Sequence, residues 1–89
     1  IIDGYSLRQN YPNPFNPVTE INFALPIASD ISLRVFNMLA QEVALIASGN
    51  YPAGLHTVSF NAVELPSGIY FYTLTSDGVT ITRKMILMK

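Results

Sequence analysis

The chain has no cysteine and no tryptophan among its 89 residues. Without thiols there is no disulfide framework, no zinc–thiolate site and no thiol nucleophile. Charge is scarce as well. Asp, Glu, Lys and Arg make up 12% of the residues, against about 25% in an average globular chain. Low charge beside 49% hydrophobic residues argues against disorder. Five Lys and Arg with a net charge of −1 cannot build the basic patch of a nucleic-acid binder. No apolar run approaches the roughly 20 residues of a membrane-spanning helix, and no N-terminal signal peptide is visible.

Histidine occurs once. One histidine and no cysteine argue against a transition-metal site. His56 shares its parity with Val58 and Phe60, which reads as a structural residue at the edge of an inward face. The carboxylates Asp3, Glu20, Asp30, Glu42, Glu64 and Asp77 show no calcium-loop spacing. The glycines lie too far apart for a phosphate loop, and there is no Gly-x-Ser-x-Gly elbow. No catalytic constellation remains, so the chain reads as a non-enzyme without cofactor or metal.

What is present is β-pattern. Ile21, Phe23 and Leu25 share one parity, and so do Ile31, Leu33 and Val35. Val58 and Phe60 alternate with Thr57 and Ser59. Tyr70, Tyr72 and Leu74 alternate with Phe71, Thr73 and Thr75, and Val79 to Met88 forms a last run. A weaker run spans Tyr5 to Asn10. Six Pro and five Gly punctuate these runs. Short strands with regular turn signals predict one all-β domain, a sandwich or barrel.

Asp77-Gly78 predicts a two-residue type I′ hairpin. Tight closure pairs Ser76 with Val79, Leu74 with Ile81, Tyr72 with Arg83 and Tyr70 with Met85. Tyr70, Tyr72, Leu74, Ile81, Met85 and Leu87 then face the core, and Thr73, Thr75, Thr80 and Thr82 form a solvated ladder. Met38 to Ala47 conflicts with the pattern. It is rich in helix formers, and Asn37 could cap it, so propensity leaves helix and strand balanced.

The segment Tyr11-Pro12-Asn13-Pro14-Phe15-Asn16-Pro17 cannot be a central strand, because each Pro lacks a ladder donor. Residues before Pro favour β or polyproline II geometry. The segment reads as an extended edge cover pinned by Tyr11 and Phe15, with Asn13 and Asn16 bonding nearby backbone. Its alternative reading is a recognition epitope. Five Tyr and five Phe could also make a carbohydrate platform, but a core this small needs most of them.

The run from Tyr11 to Pro26 (Tyr-Pro-Asn-Pro-Phe-Asn-Pro-Val-Thr-Glu-Ile-Asn-Phe-Ala-Leu-Pro) resembles the opening motif of the C-terminal sorting domains of type IX secretion, the Por secretion system, of type A. Leu33-Arg-Val-Phe-Asn37 with Gln41-Glu-Val43 resembles the second motif, and Gly54-Leu-His-Thr-Val58 the third. Leu65 to Leu74 (Leu-Pro-Ser-Gly-Ile-Tyr-Phe-Tyr-Thr-Leu) resembles the fourth, and Thr82-Arg-Lys-Met-Ile-Leu-Met-Lys89 the fifth. The resemblance implies an Ig-like β-sandwich of about seven mostly antiparallel strands. It also implies strands on both sides of the turn after Asn37.

The resemblance further implies a sorting signal at the end of a larger secreted cargo of a Gram-negative bacterium. The cargo would cross the periplasm and be read by an outer-membrane translocon and a sortase-like protease, to be secreted or held at the cell surface. The family's features carry over onto Pro12, Asn13 and Pro14, onto Gly68 and Tyr70, and onto Lys84 with Lys89. Residues 1–4 then read as a linker remnant and 5–89 as the domain, with Lys89 as a native C-terminus. Ala40 departs from the family, which usually has Gly there. Ala at positive φ costs on the order of 1 kcal/mol. Two other readings remain open beside sorting. One is an accessory spacer or carbohydrate-binding module, and the other is a dimer formed through an exposed edge strand.

Overall fold

The computed structural model describes residues 4–89. Of the expected linker, residues 1–3 lie outside the described part, and Gly4 is an exposed bend. The alternating runs become seven strands: β1 (Ser6–Leu7), β2 (Val18–Leu25), β3 (Ser29–Phe36), β4 (Glu42–Tyr51), β5 (Gly54–Asn61), β6 (Gly68–Ser76) and β7 (Val79–Leu87). They form a three-stranded sheet in the order β1-β2-β5 and a four-stranded sheet in the order β4-β3-β6-β7. All strand pairs are antiparallel. The protein is an all-β sandwich, one of the two architectures that the periodicity allows.

Inward residues of both sheets meet in one core. Ile21, Phe23 and Leu25 of β2 face Leu33 and Val35 of β3 and Tyr72, Leu74, Met85 and Leu87 of β6 and β7, all fully buried or nearly so. Each buried Leu, Ile or Phe contributes about 1.5–3 kcal/mol of transfer free energy. With no disulfide, this burial carries the fold.

The β6–β7 hairpin has the anticipated register, from Ser76↔Val79 to Gly68↔Leu87. Asp77 and Gly78 have φ of 48° and 84°, the paired positive values of a type I′ turn. Ile81 is only half-buried, on β7 at the outer side of its sheet. On the outer face the Thr73 and Thr82 hydroxyls lie 3.1 Å apart.

No helix forms over 38–47; residues 42–51 are β4. Tertiary pairing with β3 overrides the local propensity. Asn37 does cap, but it caps a turn. Its Oδ1 accepts from the backbone amides of Leu39 and Gln41 at 2.9 and 3.0 Å. Ala40 sits at φ 63°, so the missing glycine is a strained position.

Candidate functional site

The proline segment is the part of the sequence least explained by a sandwich. Its three prolines supply no N–H, so the segment cannot pair continuously. It is bent rather than extended, and touches the sheets at two isolated bridges, Tyr11↔Glu20 and Phe15↔Leu87. Tyr11 exchanges backbone hydrogen bonds with Glu20 of β2. The Phe15 amide donates to the Ile86 carbonyl at 3.0 Å, and its carbonyl accepts from the Met88 amide at 2.9 Å. The segment therefore straps the edge of one sheet to the edge of the other.

The pins differ from those expected. Phe15 is 2% exposed and fills the core, but the Tyr11 side chain is 80% exposed and holds only through its backbone. Asn13 bonds a distant backbone group: its Oδ1 accepts from the Ile86 amide at 2.9 Å. Asn10 does the local work assigned to Asn13 and Asn16. Its side-chain amide donates to the Pro12 carbonyl at 3.1 Å and to Thr19 Oγ1 at 2.9 Å. Thr19 Oγ1 in turn donates to the same Pro12 carbonyl. Sequence reading missed Asn10 and Thr19, although an Asn just ahead of a turn is a known backbone partner.

Edge cover is borne out. Gln9 Nε2 donates to the Lys84 carbonyl at 2.6 Å, so the Lys84, Ile86 and Met88 backbones are occupied by residues 9–15. Tyr72 anchors the strap's base. Its hydroxyl donates to the Arg8 carbonyl at 2.6 Å and accepts from the Asn10 amide at 2.8 Å. Arg83 Nε donates to the Leu7 carbonyl at 2.8 Å. Burial pushes the Tyr72 phenol above its ordinary pKa, against the Asn10 hydrogen bond and the Arg83 charge, which act the other way.

All seven candidate residues lie around the second half of β7. Pro12, Asn13 and Pro14 are exposed on the strap beside it. Lys84 is an exposed β7 residue. Gly68 pairs with Leu87 and Tyr70 with Met85. Lys89 follows the strand; its amide donates to Ser67 Oγ at 3.1 Å and its ammonium to the Val63 carbonyl at 2.5 Å. Gly68 has φ 156° with open space where a Cβ would point, so backbone conformation and not close approach fixes the glycine. Tyr70 points inward, and its hydroxyl donates to the Pro66 carbonyl at 2.6 Å. That is the tyrosine corner of Ig-like sandwiches, and burial raises this phenol's pKa.

The chain matches the family model of the secretion system C-terminal sorting domain over residues 9–88. It belongs to that family. No curated protein matches the chain. The family match makes this sandwich a C-terminal sorting signal of type IX secretion, with a role in export to the surface or beyond. The matched span begins at the strap and ends on the β7 terminus that the strap covers.

His56 packs among aromatic rings. It stacks on Phe23 at 5.2 Å and meets the edge of Tyr51, with Nε2 2.7 Å from the Pro52 carbonyl. Among the described residues no cluster of three His, Asp or Glu gathers.

Proposed function

We propose that this domain carries its cargo through the outer membrane by displaying a shape, and that the strap with the end of β7 is the displayed surface. The observation that supports the reading is the strap's bonding to β7. It merges the first and last motifs of the sequence, far apart along the chain, into one rigid patch. Pro12, Asn13, Pro14, Lys84 and Lys89 present side chains there. Gly68 and Tyr70 hold the frame beneath. The readers are the outer-membrane translocon and then a sortase-like protease, met by an upstream cargo after it has crossed the periplasm. The domain itself carries out no catalysis in this scheme.

The test is export of a reporter fused upstream of the chain in a bacterium with type IX secretion. Deleting the domain strands the reporter in the periplasm. Lys84→Ala and Lys89→Ala leave the melting curve nearly unchanged and reduce surface delivery. Undiminished delivery with both lysines replaced would remove them from the signal. The accessory carbohydrate-binding reading has little to stand on. Tyr11 is the one exposed aromatic among the described residues, and a sugar-stacking face needs more.

A further inference from the structure

In the three-stranded sheet β5 is an outer strand with one unpaired side. Its free backbone groups can be located. In β2 the even residues bond toward β1, since the Asn22 carbonyl accepts from Arg8 and Glu20 exchanges bonds with Tyr11. The odd residues therefore bond β5, through the pairs Thr19↔Phe60, Ile21↔Val58, Phe23↔His56 and Leu25↔Gly54. It follows that Leu55, Thr57, Ser59 and Asn61 aim their N–H and C=O groups away from β2. Among the described residues no backbone bond reaches these groups.

The other edges are blunted. β7 is strapped over Lys84–Met88, which leaves only a short stretch before Arg83. Arg83 bonds the Leu7 carbonyl of β1, and Tyr72 bonds the Arg8 carbonyl just after it. β4 is broken by two register shifts and begins at Glu42. By contrast β5 is eight residues long, pairs without a bulge, and contains no proline and no charged residue. Natural sheets rarely leave such an edge undefended.

The opposite wall is open as well. Val43, Ala44 and Ile46 on β4 are only half-buried, although they pack on the core. Between β4 and β5 lies a cleft of about 450 Å³ lined by Val43, Ala44, Phe60, Ala62, Leu65 and the carboxylate residue Glu64. Arg34 pairs with Glu42 at 2.9 Å, and no salt bridge engages Glu64 among the described residues.

We propose that β5 is a strand-addition site for a single extended segment of a partner protein. The segment pairs antiparallel with Leu55–Asn61 and completes the three-stranded sheet to four. Its inward side chains are apolar and cover Val43, Ala44 and Ile46. A Lys or Arg at one end answers Glu64. A single strand fits better than β5 of a second copy, whose inward Val58 and Phe60 already pack in their own core and cannot cover Val43, Ala44 and Ile46. β1, the first described strand, lies across the sheet from this edge. The inference stands whether or not the domain sorts cargo.

The probe is a capped peptide of about eight residues, alternating Thr and Val and ending in Lys, added to the isotopically labelled chain. Binding is expected to slow hydrogen exchange at the Leu55, Thr57, Ser59 and Asn61 amides and to leave Thr80 and Thr82 unchanged. Ser59→Pro removes an outward donor without touching a β2 bond, and should weaken binding at least tenfold while the chain stays folded. Methylating alternate peptide amides provides a control that leaves the protein intact, and should abolish binding. No binding at millimolar peptide, or protection appearing on β7 instead, overturns the proposal. Protection of the β5 amides that rises with chain concentration alone, without peptide, overturns it in favour of a second copy.

Discussion

The Tyr72 hydroxyl accepts a hydrogen bond from the Asn10 amide at 2.8 Å, across 62 residues of chain, and donates one to the Arg8 carbonyl. It joins the centre of the four-stranded sheet to the start of the strap. Tyr72→Phe keeps the ring's packing but leaves two backbone groups without a partner, the Asn10 one in the interior. Such groups cost about 1–3 kcal/mol. Urea unfolding should show an unfolding free energy lowered by that amount, read as a lower midpoint with an unchanged slope. An unshifted midpoint would show that water replaces the hydroxyl freely.

Alkaline pH should expose the same linkage. Burial raises the pKa of Tyr72, and of Tyr70, from the ordinary value of 10.0. The unfolded chain then loses these protons at lower pH than the folded chain. Above about pH 10 the unfolded state binds fewer protons, so stability falls as pH rises. Below that the contribution is fully present. Urea midpoints measured between about pH 8 and pH 11.5 should decline only at the upper end, and less steeply in Tyr72→Phe. A rise in stability with pH would reverse the assigned sign.

Ala40 invites repair. Its φ of 63° suits glycine, and the residue is exposed, so nothing else depends on its methyl group. Ala40→Gly should raise stability by about 1 kcal/mol. A lower melting temperature in that variant would mean that glycine's freedom in the unfolded chain outweighs the relieved strain.

Phe15 should be the costliest single loss in the strap. It is buried, and its ring lies 6.4 Å from that of Phe60. Phe15→Ala should destabilise by about 3–5 kcal/mol. Asn13→Ala should cost less, about 0.5–1.5 kcal/mol, and its signature is local: faster hydrogen exchange at the Ile86 amide. Equal exchange in Asn13→Ala and the parent chain would show that the side chain does not guard that edge.

Much of this was readable from the residues. The Asp77-Gly78 turn and the alternation on either side of it determine the β6–β7 register, because a tight hairpin leaves one pairing that buries Tyr70, Tyr72 and Leu74 together. The family motifs carried the strands around Asn37–Gln41, where helix propensity pointed elsewhere. Long-range polar contacts were not readable. Nothing local shows that Asn13 bonds Ile86 or that Tyr72 bonds Asn10, since each pair is brought together only by the closed sandwich. Tyr11 misled for a related reason. An aromatic beside proline looks like an anchor, but its N–H and C=O do the holding.

The strap also sets an order of events. Residues 9–15 come early in the chain, and their partners Lys84, Ile86 and Met88 come at its far end. Contacts of such sequence separation form late, after the intervening loop is closed. A chain interrupted anywhere before Met85 has a core in part but no closed patch. The merged surface therefore exists only in a domain folded through β7, so its presence reports that the seventh strand is in place.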